Sequence, residues 1–312
     1  MRRRATRLVA ASALALAAAA AAPSERTGRG AMPDTWVFYT RSVGSAGTLG
    51  GSFTREAALV RTDASVPGIP RIGSFRRAMA AGEWDRLAAL VRSLGPPRPS
   101  GVHRPGTAMI SLGIMAGGRA EVVHGQAEGA LTPAESDVFR KVEETVHEVL
   151  GHPHLALEGR AAWGAAEIEP DDELTVDFVV SNPGLGPVPF VHPRSRGSAP
   201  SGLAVVLARV GPGGAVVDAR DVVFAGAEVS EVVGGRSVPG PAPDLAELAP
   251  GRQVTLRART RVRLVPADYR ASARIDIEAP PGSDEKAVAG TISFDLPRLA
   301  VVRAGEKGGK GR

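Results

Sequence analysis

Residues 174–184 read Leu-Thr-Val-Asp-Phe-Val-Val-Ser-Asn-Pro-Gly. Leu174, Val176, Phe178 and Val180 fall on one side of a two-residue period, with Thr175, Asp177 and Ser181 on the other. Successive side chains of a strand point to opposite faces, so this alternation marks a β-strand with one face in a core. Asn182-Pro183-Gly184 supplies the chemistry to turn the chain at its end.

The same pattern continues downstream. Leu203–Val210, Val216–Phe224, Gln253–Val265, Arg270–Glu278 and Ala287–Leu296 read as further strands. Clusters of Pro and Gly separate them, notably Val238–Pro243. Helical periodicity is absent after Pro153. Residues 155–302 are therefore expected to form an all-β, immunoglobulin-like sandwich, although the Cys…Trp…Cys pattern of antibody domains is missing. Residues 303–312 are rich in glycine and charge and read as a disordered tail.

Upstream, residues 36–154 mix strand and helix signals. Trp36–Ser42 and Phe53–Asp63 read as strands flanking a glycine-rich hairpin connection, Gly44–Gly51, with a third strand over Arg71–Met79. Trp84, Leu87, Ala88, Val91 and Leu94 share one helical face, and Gly95 and Pro96-Pro97 end that helix. Thr107–Met115 and Arg119–His124 read as a second hairpin around Gly117-Gly118. Thr132 and Glu135 form a capping box with Pro133 at the first helical position. Val138, Phe139, Val142, Val146 and Val149 give the second helix its apolar face. The expected order is β-β-β-α-β-β-α, an α+β domain.

The N-terminus carries Arg2, Arg3, Arg4 and Arg7, then an uncharged apolar run from Leu8 to Ala21. That run is shorter than the roughly 18–20 residues a spanning helix needs, so it reads as a secretory leader. Proline directly after a cut blocks cleavage, which places the cut after Ala21, two residues short of Pro23. Residues 1–21 are the expected signal peptide and 22–35 a flexible lead-in. The protein is expected to be exported, to a periplasmic or extracellular location, with no membrane association after cleavage.

Composition narrows the function. The chain has 38 Lys+Arg against 33 Asp+Glu, and four of the cations but none of the acids lie in the leader, leaving +1. So small a charge argues against a nucleic-acid partner. With no cysteine there is no disulfide and no thiolate site. Three Trp, two Tyr and eight Phe leave few aromatics for exposed stacking platforms.

Several motifs bear on chemistry. His147-Glu148-Val149-Leu150-Gly151-His152-Pro153-His154 departs from H-E-x-x-H. Its second histidine comes five residues on, beyond the helix-ending Gly151, so metal binding by His147, His152 and His154 competes with a plain linker. Gly44–Gly51 precedes strand-like sequence rather than a helix, which disfavours a phosphate cradle. No G-x-S-x-G elbow occurs, and no cofactor is expected. Arg257, Arg259, Arg261 and Arg263 alternate with Leu256, Ala258, Val262 and Leu264. On one strand the four guanidinium groups share a face at about 7 Å spacing. They form either a docking row for an acidic protein or a set of cross-strand ion pairs, with Asp276 and Glu278 on the following strand as acids.

Gly44–Gly51, Trp84–Leu94, Met109–Val123 and Thr132–Leu150 give the first domain a layout that resembles the emfourin-like domains of bacteria. The resemblance implies inhibition of thermolysin-like metalloproteases. Leu174–Asn182, Leu248–Leu256 and Tyr269–Ile277 resemble bacterial Ig-like proteinase-inhibitor domains, and also many envelope and adhesin modules. The expected function is an exported, non-enzymatic binding protein with a protein partner, a secreted protease in its sharper form. An envelope or adhesion module is the alternative, and a hydrolase with a dispersed site the least favoured.

Overall fold

A computed structural model describes residues 35–42, 47–95, 107–238, 243–284 and 287–303. The expected leader, most of the lead-in and the tail beyond 303 lie outside the described residues. The fold is mostly β: the described residues form eighteen strands in several sheets and two α-helices. No described helix is long and apolar enough to cross a membrane.

The chain divides into two compact units, one made of residues up to Ala64 with Gly73–Leu155, the other of Ser65–Ile72, Ala156–Ser283 and the chain from Ala287 onward. In the first unit β1 (Thr35–Ser42), β2 (Thr48–Phe53), β3 (Ala57–Thr62), β4 (Arg71–Ala78), β5 (Met109–Ala116) and β6 (Arg119–Ala127) are antiparallel neighbours in the order β4-β3-β2-β1-β5-β6. Both helices belong here, α1 (Glu83–Arg92) and α2 (Pro133–Leu150).

The capping box of α2 is formed in full. Thr132 N–H donates to Glu135 Oε2 at 2.7 Å, and Glu135 N–H donates to Thr132 Oγ1 at 3.2 Å. Val138, Phe139, Val142, Val146 and Val149 are buried along its inner face, as are Trp84, Leu87, Ala88 and Val91 on α1. Gly117 and Gly118, both at positive φ, turn β5 into β6 as a two-residue hairpin requires.

Four strands, not three, precede α1. The glycine-rich stretch is not wholly a connection: Gly50 and Gly51 lie inside β2, paired with Thr40 and Tyr39. A Cβ at Gly51 would sit 3.0 Å from the Phe53 ring, so the missing side chain lets that ring lie over the strand. The expected strand Phe53–Asp63 is broken at Thr54, whose hydroxyl accepts the Ala57 N–H at 3.0 Å and closes a tight turn.

In the second unit one sheet has the order β14-β13-β16-β9-β7. Its strands are β7 (Pro153–Trp163), β9 (Glu173–Ser181), β13 (Val229–Val233), β14 (Arg236–Val238) and β16 (Gln253–Arg261). The other, β12-β11-β17-β18-β8, comprises β8 (Glu167–Ile168), β11 (Pro200–Val210), β12 (Val216–Ala225), β17 (Ala267–Ile277) and β18 (Gly290–Val301). Strands β10 (Val188–Val191) and β15 (Leu245–Leu248) form a separate pair. The inner faces meet through Phe178 on β9 and Phe224 on β12, ring centroids 5.9 Å apart and edge to face. Gly159 permits this closeness on β7, where a Cβ would lie within 3.1 Å of Ile292, Phe294 and Ile275.

The chain leaves β16 at Arg261, four residues before the expected end at Val265. Leu264 N–H donates instead to Pro170 O at 3.1 Å, outside any ladder.

Candidate functional site

β16 takes its place between β9 and β13 because its inner residues, Leu256 and Ala258, are fully buried. Alternation then turns Arg257, Arg259 and Arg261 outward. Arg263 lies beyond the strand's end and is 90% exposed.

The four arginines are not equivalent. Arg257 stands opposite Asp177 on β9. Its Nε donates to Oδ1 at 2.6 Å and its Nη2 to Oδ2 at 2.7 Å, a two-pronged, charge-assisted pair. The carboxylate holds the Arg257 guanidinium above its ordinary pKa. Arg263 Nε is 4.0 Å from Asp171 Oδ1, with both side chains in solvent, a contact of little energetic weight. Arg259 is opposite Thr175 and Arg261 opposite Glu173. Among the described residues no acidic side chain bonds either guanidinium.

Asp276 and Glu278, the acids expected to answer this row, are elsewhere. β17 is in the opposite sheet, between β11 and β18, and never neighbours β16. There Arg274 pairs with Asp276 at 3.3 Å, Asp276 accepts from Thr291 at 2.8 Å, and Glu278 binds Arg196 at 2.6 Å. Adjacency in sequence predicts adjacency in space, and here the consecutive strands β16 and β17 go to different sheets. Asp177 was already visible as the outward charge of the 174–181 alternation, which is the signal that could have found it.

Around the row the outer face of this sheet is polar. Arg160 on β7 donates to Gln253 Oε1 at 3.2 Å, and Ser230 on β13 stands opposite Arg257. A cavity of about 250 Å³ adjoins the row, lined by Gly164, Ala165, Glu173, Thr175 and Arg257 among others. The arrangement can hold a carboxylate or other anion against Arg259 and Arg261, but it brings no nucleophile and base together there.

Among the histidines considered for metal, His147 ends up on α2, its Nδ1 2.8 Å from Glu143 O. His152 follows the helix, and His154 lies in β7. The described residues contain no group of three or more side chains placed to hold a metal ion. No sequence motif marks His192, a buried ring whose Nδ1 accepts from Arg194 N–H at 3.2 Å and caps the short helical turn Pro193–Arg196.

No family model matches the chain, and no curated protein does. Among solved structures, AvmM, which catalyses macrocyclization in alchivemycin A biosynthesis, is similar at 13% identity over 46% of this chain and 88% of that one, with a TM-score of 0.26. The Pseudomonas fluorescens alkylpurine DNA glycosylase AlkC, bound to DNA containing an abasic site analogue, aligns at 11% identity over 54% of this chain and 40% of its own, TM-score 0.23. The putative ApaA protein of Bordetella pertussis aligns at 10% over 49% and 97%, TM-score 0.21.

Proposed function

We propose that the chain is an exported, non-enzymatic binding protein, an α+β domain followed by an immunoglobulin-like sandwich, that docks an acidic protein partner on the outer face of β16. One observation carries this reading. Arg259 and Arg261 project from a rigid strand at about 7 Å spacing, bonded to no described acid, beside an Arg257 already neutralised by Asp177. Two guanidinium groups held in fixed geometry, offset in part by Glu173 opposite Arg261, favour an acidic partner and speed its approach. The resemblance to inhibitor domains makes a secreted protease the sharper partner. The flatness of a strand face supports surface docking rather than entry into a cleft, and this favours the second reading, an envelope or adhesion module.

The test is capture from the producing cell's secretome with the wild-type chain and with Arg259→Glu/Arg261→Glu. A protease recovered by the first and lost by the second supports the protease-associated form. An envelope protein with the same dependence supports the second reading. Equal recovery with both baits removes the row from the function. Binding should also weaken as salt passes about 0.15 M, where the screening length is about 8 Å.

A further inference from the structure

β12 is the outermost strand of the order β12-β11-β17-β18-β8. Among the described residues no strand pairs with its other edge. Val216–Asp221 are exposed on both faces, and Val216, Val217 and Val223 are 53%, 54% and 47% exposed. Protein edges are commonly blunted by lysine, proline or other charges; the ten residues Val-Val-Asp-Ala-Arg-Asp-Val-Val-Phe-Ala hold no lysine or proline, and their charges are Asp218 (opposite Arg209 on β11), Arg220 and Asp221. Their row of backbone donors and acceptors is a template for one more strand.

We propose that the occupant is β12 of a second copy of this chain, paired antiparallel in the register centred on Ala219. Charge complementarity selects it. Residues directly opposite in an antiparallel pair share a face, so a two-fold pairing of identical strands is centred on a single residue. Centring on Ala219 sets Asp218 opposite Arg220 twice, once at each side of the axis, and Val216 opposite Val222. Centring on Asp218, Arg220 or Asp221 brings that residue against its own copy, a like-charge contact. Centring on Val217 sets Asp218 opposite Val216, and centring on Val222 sets Arg220 opposite Phe224; neither matches opposite charges. In the selected register Val217 faces Asp221, whose carboxylate stays in solvent on the outer face. Arg220 donates one Nη to Arg263 O at 3.1 Å, leaving its other nitrogens for the partner's carboxylate.

Sedimentation of the purified full-length chain over a concentration series tests this. The wild type should form a dimer in equilibrium with monomer. Asp218→Arg and Arg220→Asp should each weaken self-association roughly tenfold, because both cross-strand pairs turn repulsive. The doubly exchanged chain, Asp218→Arg with Arg220→Asp, should recover it, and an equimolar mixture of the two single variants should form mixed dimers. A wild type that stays monomeric overturns the proposal. So does association that the single variants leave unchanged, or a loss that neither the double exchange nor mixing recovers. Arg259 and Arg261 remain in place throughout, so partner docking and self-pairing succeed or fail independently.

Discussion

Arg257 and Asp177 face each other across β16 and β9 and are joined by hydrogen bonds of 2.6 and 2.7 Å. Their side chains are only 23% and 26% exposed. Removing one partner strands the other charge in a half-buried site. Asp177→Ala is expected to cost about 1.5–3 kcal/mol, the range for a hydrogen bond to a charged group. Replacing both with leucine should recover much of that, since no charge is then left unpaired. Urea unfolding of the two variants and the wild type checks both statements. A double variant no more stable than Asp177→Ala would count against the pair as the cause.

The neighbouring guanidinium groups answer differently. Arg259→Glu/Arg261→Glu should change the melting temperature little, because both side chains are exposed and exposed pairs contribute about 0–1 kcal/mol. A large fall in thermal stability by circular dichroism would mean that the row holds the sheet together instead of standing free of it.

Helix α2 offers a comparison of cap and core. Thr132→Ala removes the oxygen that accepts the Glu135 N–H and should cost about 1 kcal/mol. Val142 is wholly buried, and Val142→Ala should cost more, roughly 1–3 kcal/mol, by leaving a cavity. Denaturant midpoints of the two variants give the ranking directly.

His192 links stability to pH. Burial lowers its pKa below the ordinary histidine value; Glu231 opposes that shift and Arg194 adds to it. The native ring therefore releases its proton more readily than the unfolded one. Its contribution to stability is full above about pH 6.5, the unfolded value, and is lost as pH falls through the native value. The wild type should melt lower at pH 5 than at pH 7, and His192→Gln should narrow that difference. An unchanged difference would assign the acid sensitivity to other groups.

How far the sequence was legible depended on the range of the cause. The capping box, the apolar faces of both helices and the Gly117-Gly118 hairpin were readable because each is decided within a few residues. Gly50 and Gly51 misled because glycine in a strand looks like a loop until the Phe53 ring over it is known. β10, β13 and β15 are short and lack clean alternation, so no local pattern announced them. The outward side of Arg257 was legible from parity. The outward side of Asp177 was legible in the same way, but that the two meet was not, because they lie 80 residues apart and only the strand order brings them together.

One segment carries a consequence for how the molecule is made. Ser65 N–H donates to Thr291 O at 3.0 Å, its hydroxyl donates to Ser293 O at 3.0 Å, and Arg71 Nε reaches Glu158 Oε2 at 2.6 Å. Ser65–Ile72 thus leaves the ribosome early but completes a unit whose last strand, β18, is synthesised more than two hundred residues later. Ser65 waits for its partners through more than two hundred residues of synthesis, whereas Pro70 and Arg71 meet Gly159 and Glu158 as soon as β7 is made. The second unit closes only when the far end arrives, so its contacts of greatest sequence separation are the last that synthesis makes available.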